Sequence, residues 1–152
     1  MYQNQQKVCS QYKKNELENL DPAEIVARLY QALGQSLVST RQAIVDGDVK
    51  VQGEGTSRAL AIITELQTGL NMEEGGEIAE NLSSLYSYLV QEISRGNVGG
   101  KPELIDNAIS TVEPLTEAWV ELARKRKEEA AEVVAVHQSE KPLKTGAFHA
   151  AY

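Results

Sequence analysis

Residues 59–89 read ALAIITELQTGLNMEEGGEIAENLSSLYSYL and hold two helical patterns joined by a glycine-rich turn. Apolar residues recur every three or four positions from Leu60 onward, and they do so again from Ile78 onward. This spacing places the apolar side chains on one face of each helix. Between the two patterns, residues 69–76 contain three glycines, which indicates a turn. Two amphipathic helices with a short connection favour antiparallel packing.

A further helix is predicted before this stretch. Asp21 is a suitable N-cap and Pro22 a suitable first helical residue, while Gly47 fits the left-handed conformation that ends many helices. Residues 49–57 are ambiguous, because they include two glycines and each glycine costs about 1 kcal/mol relative to alanine in a helix. The helical pattern resumes at Thr56, where we place the start of the second helix.

The third and fourth helices follow the turn. The third is predicted to end near Arg95 and Gly96, a cation in the last turn followed by glycine. The fourth begins at about Pro102. Pro114 lies inside its apolar pattern and predicts a kink, because proline removes one helical hydrogen bond. We expect the helix to continue through the charged residues 124–129.

These elements predict an all-α fold, an antiparallel four-helix bundle with room for a short extra N-terminal helix and a C-terminal helical extension. No segment alternates with period two for long enough to indicate a sheet. We expect a mobile N-terminal arm at residues 1–19 and a bundle domain at 20–130. Residues 131–152 are expected to be a disordered tail, because the helical period fades there.

Composition excludes several function classes. The formal net charge of −7 argues against nucleic acid, whose phosphates require clustered lysine and arginine, and against an anionic membrane surface. No apolar run is long enough to cross a bilayer, so membrane insertion is not expected. The single cysteine, Cys9, cannot form an internal disulfide, which favours a reducing cytosol.

Catalytic and metal-binding patterns are absent from the predicted helices. A carboxylate-bridged metal bundle needs Glu-x-x-His pairs on facing helices, whereas both histidines, His137 and His149, lie in the expected tail. Residues 53–57 resemble a phosphate-binding loop only faintly, since they lack its lysine and a preceding strand. We therefore predict no catalytic residue, no metal ligand and no cofactor, and a protein that is not an enzyme.

The predicted helices carry more apolar surface than a narrow core stripe requires. The first helix includes Ile25 and Val38 in a broad apolar face, and the third has Tyr88 and Val90 beside its main stripe. A wide stripe is usually core. A bundle with wide stripes can also leave a groove open for a partner helix.

The motifs of the opening stretch resemble those of a known family. Ile-x-Glu-Leu at residues 63–66, Gly-Gly-Glu-Ile-Ala-x-Asn-Leu at 75–82 and Leu-Tyr-x-Tyr at 85–88 are similar to the flagellar secretion chaperone family, FliS. Further similarities are the Tyr-x-x-Asn of Tyr12–Asn15, Pro22 with the later Leu29–Tyr30, and Glu117–Trp119. The resemblance runs from Tyr12 to Leu122, and it departs from the family pattern at residues 19–21 and 31–32.

The resemblance implies a cytosolic export chaperone of bacteria. Such a chaperone binds the disordered C-terminal segment of flagellin, prevents premature polymerisation and assists type III flagellar export. Other partners implied are the flagellar export apparatus and regulatory proteins. The resemblance and the apolar faces together give these expected client contacts: Tyr12, Asn15, Leu29, Tyr30, Leu33, Leu82, Leu85, Tyr86 and Leu89. Ordinary core is the alternative for each apolar one, and we expect it for at least half.

Two alternatives remain open from the sequence. One is a helical-bundle adaptor or regulator that serves a different flagellar or export-system client. The other is a cofactor-binding bundle enzyme, which would require inward-facing histidine or glutamate pairs. The N-terminal arm is expected to cover a groove until a client arrives, so that deleting the residues before Asn19 would raise client affinity.

Overall fold

A computed structural model describes residues 4–8, 10, 20–137 and 151–152. Its long helices are α1 (Pro22–Asp46), α2 (Val49–Thr68), α3 (Gly76–Gly99) and α4 (Pro102–Val136). Residues 4–8 and 10 are also helical, and no strand occurs in the described parts of the chain. The predicted all-α bundle is confirmed.

The four helices follow one another around the bundle. α1 packs against α2 and α4, and α3 packs against the same two helices from the other side. Only two residues connect α1 to α2 and α3 to α4, so both connections lie at one end, which we call the hairpin end. The opposite end, where residues 69–75 connect α2 to α3, is called the turn end.

Both boundaries predicted for α1 are confirmed. The side chain of Asp21 accepts a hydrogen bond from the backbone N–H of Ala23 at 2.9 Å, and Pro22 occupies the first helical position. At the other end Gly47 adopts the left-handed conformation with φ of 71°. These signals depend on residues adjacent in sequence, which is why the sequence predicted them.

The start of α2 differs from the prediction. The helix begins at Val49, because the Asp48 carboxylate caps it by accepting a hydrogen bond from the N–H of Val51 at 3.1 Å. Gly55 lies against α1. A Cβ there would overlap the Thr40 hydroxyl and lie 3.2 Å from the Ser36 carbonyl oxygen. Close packing therefore offsets the low helix propensity of this glycine.

The end of α3 was also predicted too early. Gly96 is a helical residue, and a Cβ on it would lie 2.8 Å from the Cδ1 atom of Ile105 in α4. The helix continues to Gly99 and ends at Gly100, which has φ of 59°. Gly96 thus allows α3 and α4 to come into contact, whereas Gly100 supplies the left-handed cap.

The fourth helix is longer than the expected bundle domain. It runs through Pro114 and through residues 124–129, as predicted, and continues to Val136. Its residues from 127 to 137 are exposed. The boundary expected at residue 130 is therefore not the end of the helix, since the run of glutamate and alanine at residues 128–132 crosses it and favours helix. The kink at Pro114 stays a prediction.

The expected arm and tail are described only in part. Residues 1–3, 9 and 11–19 of the arm and 138–150 of the tail fall outside the described residues. At the far end of the chain, however, Ala151 is fully buried and Tyr152 packs against the core. These two residues differ from the disordered tail that was expected, because they find an apolar site on the bundle.

Candidate functional site

The turn end is shaped by the Gly-Gly pair of the family-like motif. Gly75 leaves no room for a side chain, since a Cβ would lie 2.6 Å from both the Asn71 carbonyl oxygen and the Cβ of Ala79. Gly76 has φ of 49°, a left-handed conformation that glycine adopts at no steric cost. The Asn71 side chain closes the turn by accepting a hydrogen bond from the N–H of Glu74 at 3.0 Å. The motif thus fixes the path of the backbone between α2 and α3.

An aromatic cluster of Tyr30, Tyr86 and Trp119 fills the core beside this turn. The hydroxyl oxygens of Tyr30 on α1 and Tyr86 on α3 lie 2.5 Å apart and are hydrogen-bonded. Trp119 on α4 stacks on Tyr30, with ring centroids 6.4 Å apart and an interplanar angle of 14°. All three side chains are at most 2% exposed. Three helices therefore meet through these rings.

The pair Ala151–Tyr152 lies on the aromatic cluster. The Ala151 carbonyl accepts a hydrogen bond from the backbone N–H of Asn71 at 2.8 Å. The Tyr152 hydroxyl is hydrogen-bonded to that of Tyr86, and its ring meets Trp119 edge-on with centroids 5.2 Å apart. The pair therefore covers the cluster on the side of the α2–α3 turn.

Two glycines of the turn end lie next to this pair, and one of them, Gly75, makes room for it. A Cβ on Gly75 would lie 2.9 Å from the Cα of Ala151, and a Cβ on Gly69 would lie 3.5 Å from a ring carbon of Tyr152. The first distance is shorter than any ordinary carbon contact, so Gly75 admits Ala151 as well as the turn. We call the site formed by Asn71, Gly75, Tyr86 and Trp119 the tyrosine pocket.

Burial strengthens the preference of the three tyrosines for the neutral form. Desolvation raises the pKa of Tyr30 and that of Tyr86 well above the usual value, and it raises the pKa of Tyr152 as well. The hydroxyls are therefore neutral at physiological pH. Each can both donate and accept, which permits the chain of hydrogen bonds from Tyr30 through Tyr86 to Tyr152.

The residues predicted to contact a client fall into three groups. Tyr12 and Asn15 lie outside the described residues. Leu29 and Leu85 are partly buried at the edge of the core. The remaining five are buried in it: Tyr30, Leu33, Leu82, Tyr86 and Leu89. Tyr30 and Tyr86 are brought into contact, and their role in client binding stays a prediction.

Several apolar side chains remain on the outside of the bundle. Ile25 and Val38 on α1 are 40% and 55% exposed, and Tyr88 and Val90 on α3 are 41% and 40% exposed. Their position beside the main apolar stripes was visible in the sequence. We call these four residues, together with Leu29 and Leu85, the outer apolar residues.

A shallow groove of about 280 Å³ also lies on the surface between α1 and α4. Its apolar lining comes from Ala27, Val120 and Ala123, and its rim carries charged side chains that include Glu24 and Arg124. The groove offers apolar contact flanked by charges of both signs, which suits a helical peptide better than a small molecule.

The described residues hold no group of three or more histidine, cysteine, aspartate or glutamate side chains placed to bind a metal ion. None of the described helices is long and apolar enough to cross a membrane. Ala151, Tyr152 and Trp119 were not predicted as site residues, because their proximity depends on contacts between residues far apart in the chain.

Comparisons with known proteins point to one family. The family model described as "Flagellar protein FliS" matches residues 4–126. The chain is similar to the "Flagellar secretion chaperone FliS" of Vibrio cholerae, with 34% identity over 112 residues that cover 71% of this chain and 82% of the relative. The protein of the same name from Salmonella typhimurium is 33% identical over 105 residues, or 68% of this chain and 78% of that one. A Campylobacter jejuni relative is 30% identical over 111 residues, covering 73% and 87%.

Proposed function

This chain belongs to the FliS family of flagellar secretion chaperones, a chaperone family rather than an enzyme family, and we propose that it binds the disordered C-terminal segment of flagellin in the bacterial cytosol. Bound in this way, the segment is kept from premature polymerisation until the type III flagellar export apparatus receives the subunit. The observation that carries the proposal is family membership together with a bundle whose exterior keeps large apolar side chains exposed.

The physical task of such a chaperone is to cover an apolar chain without burying it in a deep pocket. Removing apolar surface from water contributes about 25 cal/mol per Å². That gain must offset the entropy lost when a disordered client becomes ordered. A client that wraps over several shallow surfaces gathers enough area for this, whereas one narrow site does not.

The outer apolar residues are the surfaces we assign to the client. The core behind them is already filled by buried side chains such as Leu33 and Leu89. Separate client segments can therefore pack on the exterior of α1 and, on the other side of the bundle, on the exterior of α3 without opening the bundle. Leu29 and Leu85, which were expected contacts and are partly buried, lie where core and exterior meet.

A binding experiment tests this proposal directly. A synthetic peptide of the C-terminal segment of flagellin from the same genome is titrated into the full chain by calorimetry, and circular dichroism follows the helix content. We expect exothermic binding and a gain in helicity. Absence of both heat and helicity gain would overturn the proposal, and binding of a different flagellar subunit instead would favour the adaptor alternative.

A charged substitution on the exterior locates the surface. Val90→Lys should weaken peptide binding by about tenfold, because a buried ammonium group is strongly disfavoured in an apolar contact. The matched control is Val98→Lys on the same helix, where the side chain is 88% exposed and lies beyond the outer apolar residues. Equal affinities for the two variants would remove α3 from the client surface.

A polymerisation assay tests the biological consequence. Flagellin seeded with filament fragments should elongate more slowly when the chaperone is present at equal concentration. Because the proposal rests on sequestration of the C-terminal segment, flagellin lacking that segment should not form a complex. Unchanged elongation despite binding would remove the anti-polymerisation role from the proposal.

A further inference from the structure

Ala151 and Tyr152 occupy the tyrosine pocket as a bound peptide would. They contribute one backbone hydrogen bond, from the Asn71 N–H to the Ala151 carbonyl, together with a small residue seated over Gly75 and an aromatic ring against Trp119. A backbone contact combined with side-chain pockets is how folded domains recognise extended segments. The pair belongs to no long helix of the bundle.

We propose that the tyrosine pocket is a binding site for a short segment consisting of a small residue followed by an aromatic one, and that Ala151–Tyr152 fills it as a tethered competitor of the client. The inference rests on the proposed function, since the segment that displaces the pair is taken to belong to the client. It adds a specific site and a means of regulating access to it.

The pair can reach the pocket within the same chain. From Trp119 to His137, α4 runs for about 27 Å at 1.5 Å per residue. Residues 138–150 and the bonds that flank them can span at most about 46 Å when extended, at about 3.3 Å per residue. The intervening length therefore allows residue 151 to return to the turn end without any change in α4.

The pair also lies against two of the expected client contacts. Tyr86 is 1% exposed, and its hydroxyl is hydrogen-bonded to Tyr152 on one side and Tyr30 on the other. When the pair leaves, the Tyr86 hydroxyl and the face of Trp119 become available to another segment. Tyr30 and Tyr86 can then belong to a client site even though both are buried while the pair is bound.

The anchorage of the pair is weak enough to be displaced. Tyr152 is only half-buried, and a hydrogen bond between neutral groups contributes on the order of 1 kcal/mol net. A competitor that fills the pocket for about nine-tenths of the time lowers the apparent client affinity by about tenfold, because the client binds only the open fraction. Ala151–Tyr152 would thus reduce the access of the client to the tyrosine pocket without blocking it.

The test compares the intact chain with Tyr152→Ala, and Trp119 serves as the probe because it is the only tryptophan. Loss of the Tyr152 ring should shift the fluorescence of Trp119 to longer wavelength. The flagellin C-terminal peptide should bind Tyr152→Ala about tenfold more tightly, and Tyr152→Phe, which keeps the ring, should lie between the two. A peptide of residues 146–152, added to Tyr152→Ala, should reduce client affinity again.

Val134→Ala is the matched control, since it truncates an apolar side chain that is 81% exposed on the projecting end of α4. It should leave both the fluorescence and the affinity unchanged. Equal client affinity for the intact chain and Tyr152→Ala would overturn the competition and leave the proposed function intact. No client binding by either would overturn both. A dimer that dissociates when Tyr152 is replaced would overturn the assignment to the same chain.

Discussion

The hairpin end and the turn end of the bundle join their helices in different ways. At the hairpin end the helices pack closely, because Gly55 lets the backbone of α1 approach α2 and Gly96 on α3 makes room for the Ile105 side chain of α4. At the turn end the helices are held apart by the rings of the aromatic cluster, and the space beside them admits Ala151–Tyr152. Close packing of helices leaves no room for a ligand. Packing of large rings around a turn leaves such room. The comparison explains why the candidate peptide site lies at the turn end.

Trp119→Ala is expected to have the largest effect. Removing a buried aromatic side chain leaves a cavity and costs about 3–5 kcal/mol of unfolding free energy. Urea denaturation followed by circular dichroism measures the loss. Val120→Ala is the control, because the side chain of Val120 is 38% exposed, and it should change stability by less than about 1 kcal/mol. Similar losses for both variants would contradict the central role of the aromatic cluster.

The second-largest effect is expected at high pH, which should lower the unfolding free energy through the tyrosines of the turn end. The pKa of Tyr30 and that of Tyr86 are raised in the folded chain, so the folded state keeps protons that the unfolded chain loses above about pH 10. Their contribution is therefore fully present below about pH 10 and declines as the pH rises further. At about pH 11 the loss should be about 2–3 kcal/mol for the two tyrosines together.

Unfolding free energies from urea denaturation between about pH 8 and about pH 11 measure this decline. The double variant with Tyr30→Phe and Tyr86→Phe is the control, because it removes both hydroxyls and keeps both rings. Its unfolding free energy should vary less over the same range. An identical decline in the variant would assign the effect to other groups.

Substitutions at two glycines test the close packing near the hairpin end. Gly55→Ala should destabilise the fold by about 1–3 kcal/mol, because the added methyl group overlaps Thr40 and crowds the Ser36 carbonyl. Gly53→Ala, two residues earlier, has open space and should stabilise α2 by about 0.5–1 kcal/mol. Opposite signs in urea denaturation would support the close contact of α1 with α2. Two stabilising substitutions would disprove it.

The ion pair of Arg41 with Asp106, which joins α1 to α4 near the hairpin end at 2.6 Å, should matter least. Both side chains are at least 40% exposed, and exposed ion pairs contribute about 0–1 kcal/mol. Arg41→Met, which keeps most of the aliphatic stem, should therefore leave the unfolding free energy almost unchanged. A larger loss of unfolding free energy in thermal or urea denaturation would show that this ion pair, as well as close packing, stabilises the hairpin end.

Much of the fold could be predicted where the deciding contacts are local. The start of α1 at Asp21 and Pro22 depends on a hydrogen bond two residues away, and its end at Gly47 depends on the conformation of one residue. The start of α2 was predicted too late, because the low helix propensity of Gly55 was considered without the contact that this residue makes with α1. In the same way, Gly96 was taken as a helix end although it lies in a helix contact.

The candidate site could be predicted only in part. The width of the apolar faces that include Val38 and Val90 was visible in the sequence, but helical period alone favoured core for them, and the structure leaves both side chains exposed. The sequence left open whether Tyr30 and Tyr86 belong to the core or to a client surface, since their burial depends on how each helix is rotated toward its neighbours. The pair Ala151–Tyr152 had no local signal, because two residues by themselves form neither a periodic pattern nor a motif.

The sequence by itself determined the helices, their order, the glycine-rich turn and the family, because each depends on local spacing or on short motifs in a fixed order. Tertiary structure alone decided which tyrosines are buried, which glycines serve as contacts and where Ala151–Tyr152 lies. Those outcomes depend on the free energy of contacts between residues such as Tyr86 and Tyr152, which are 66 positions apart. Contacts over such distances arise only once the bundle has brought its helices together.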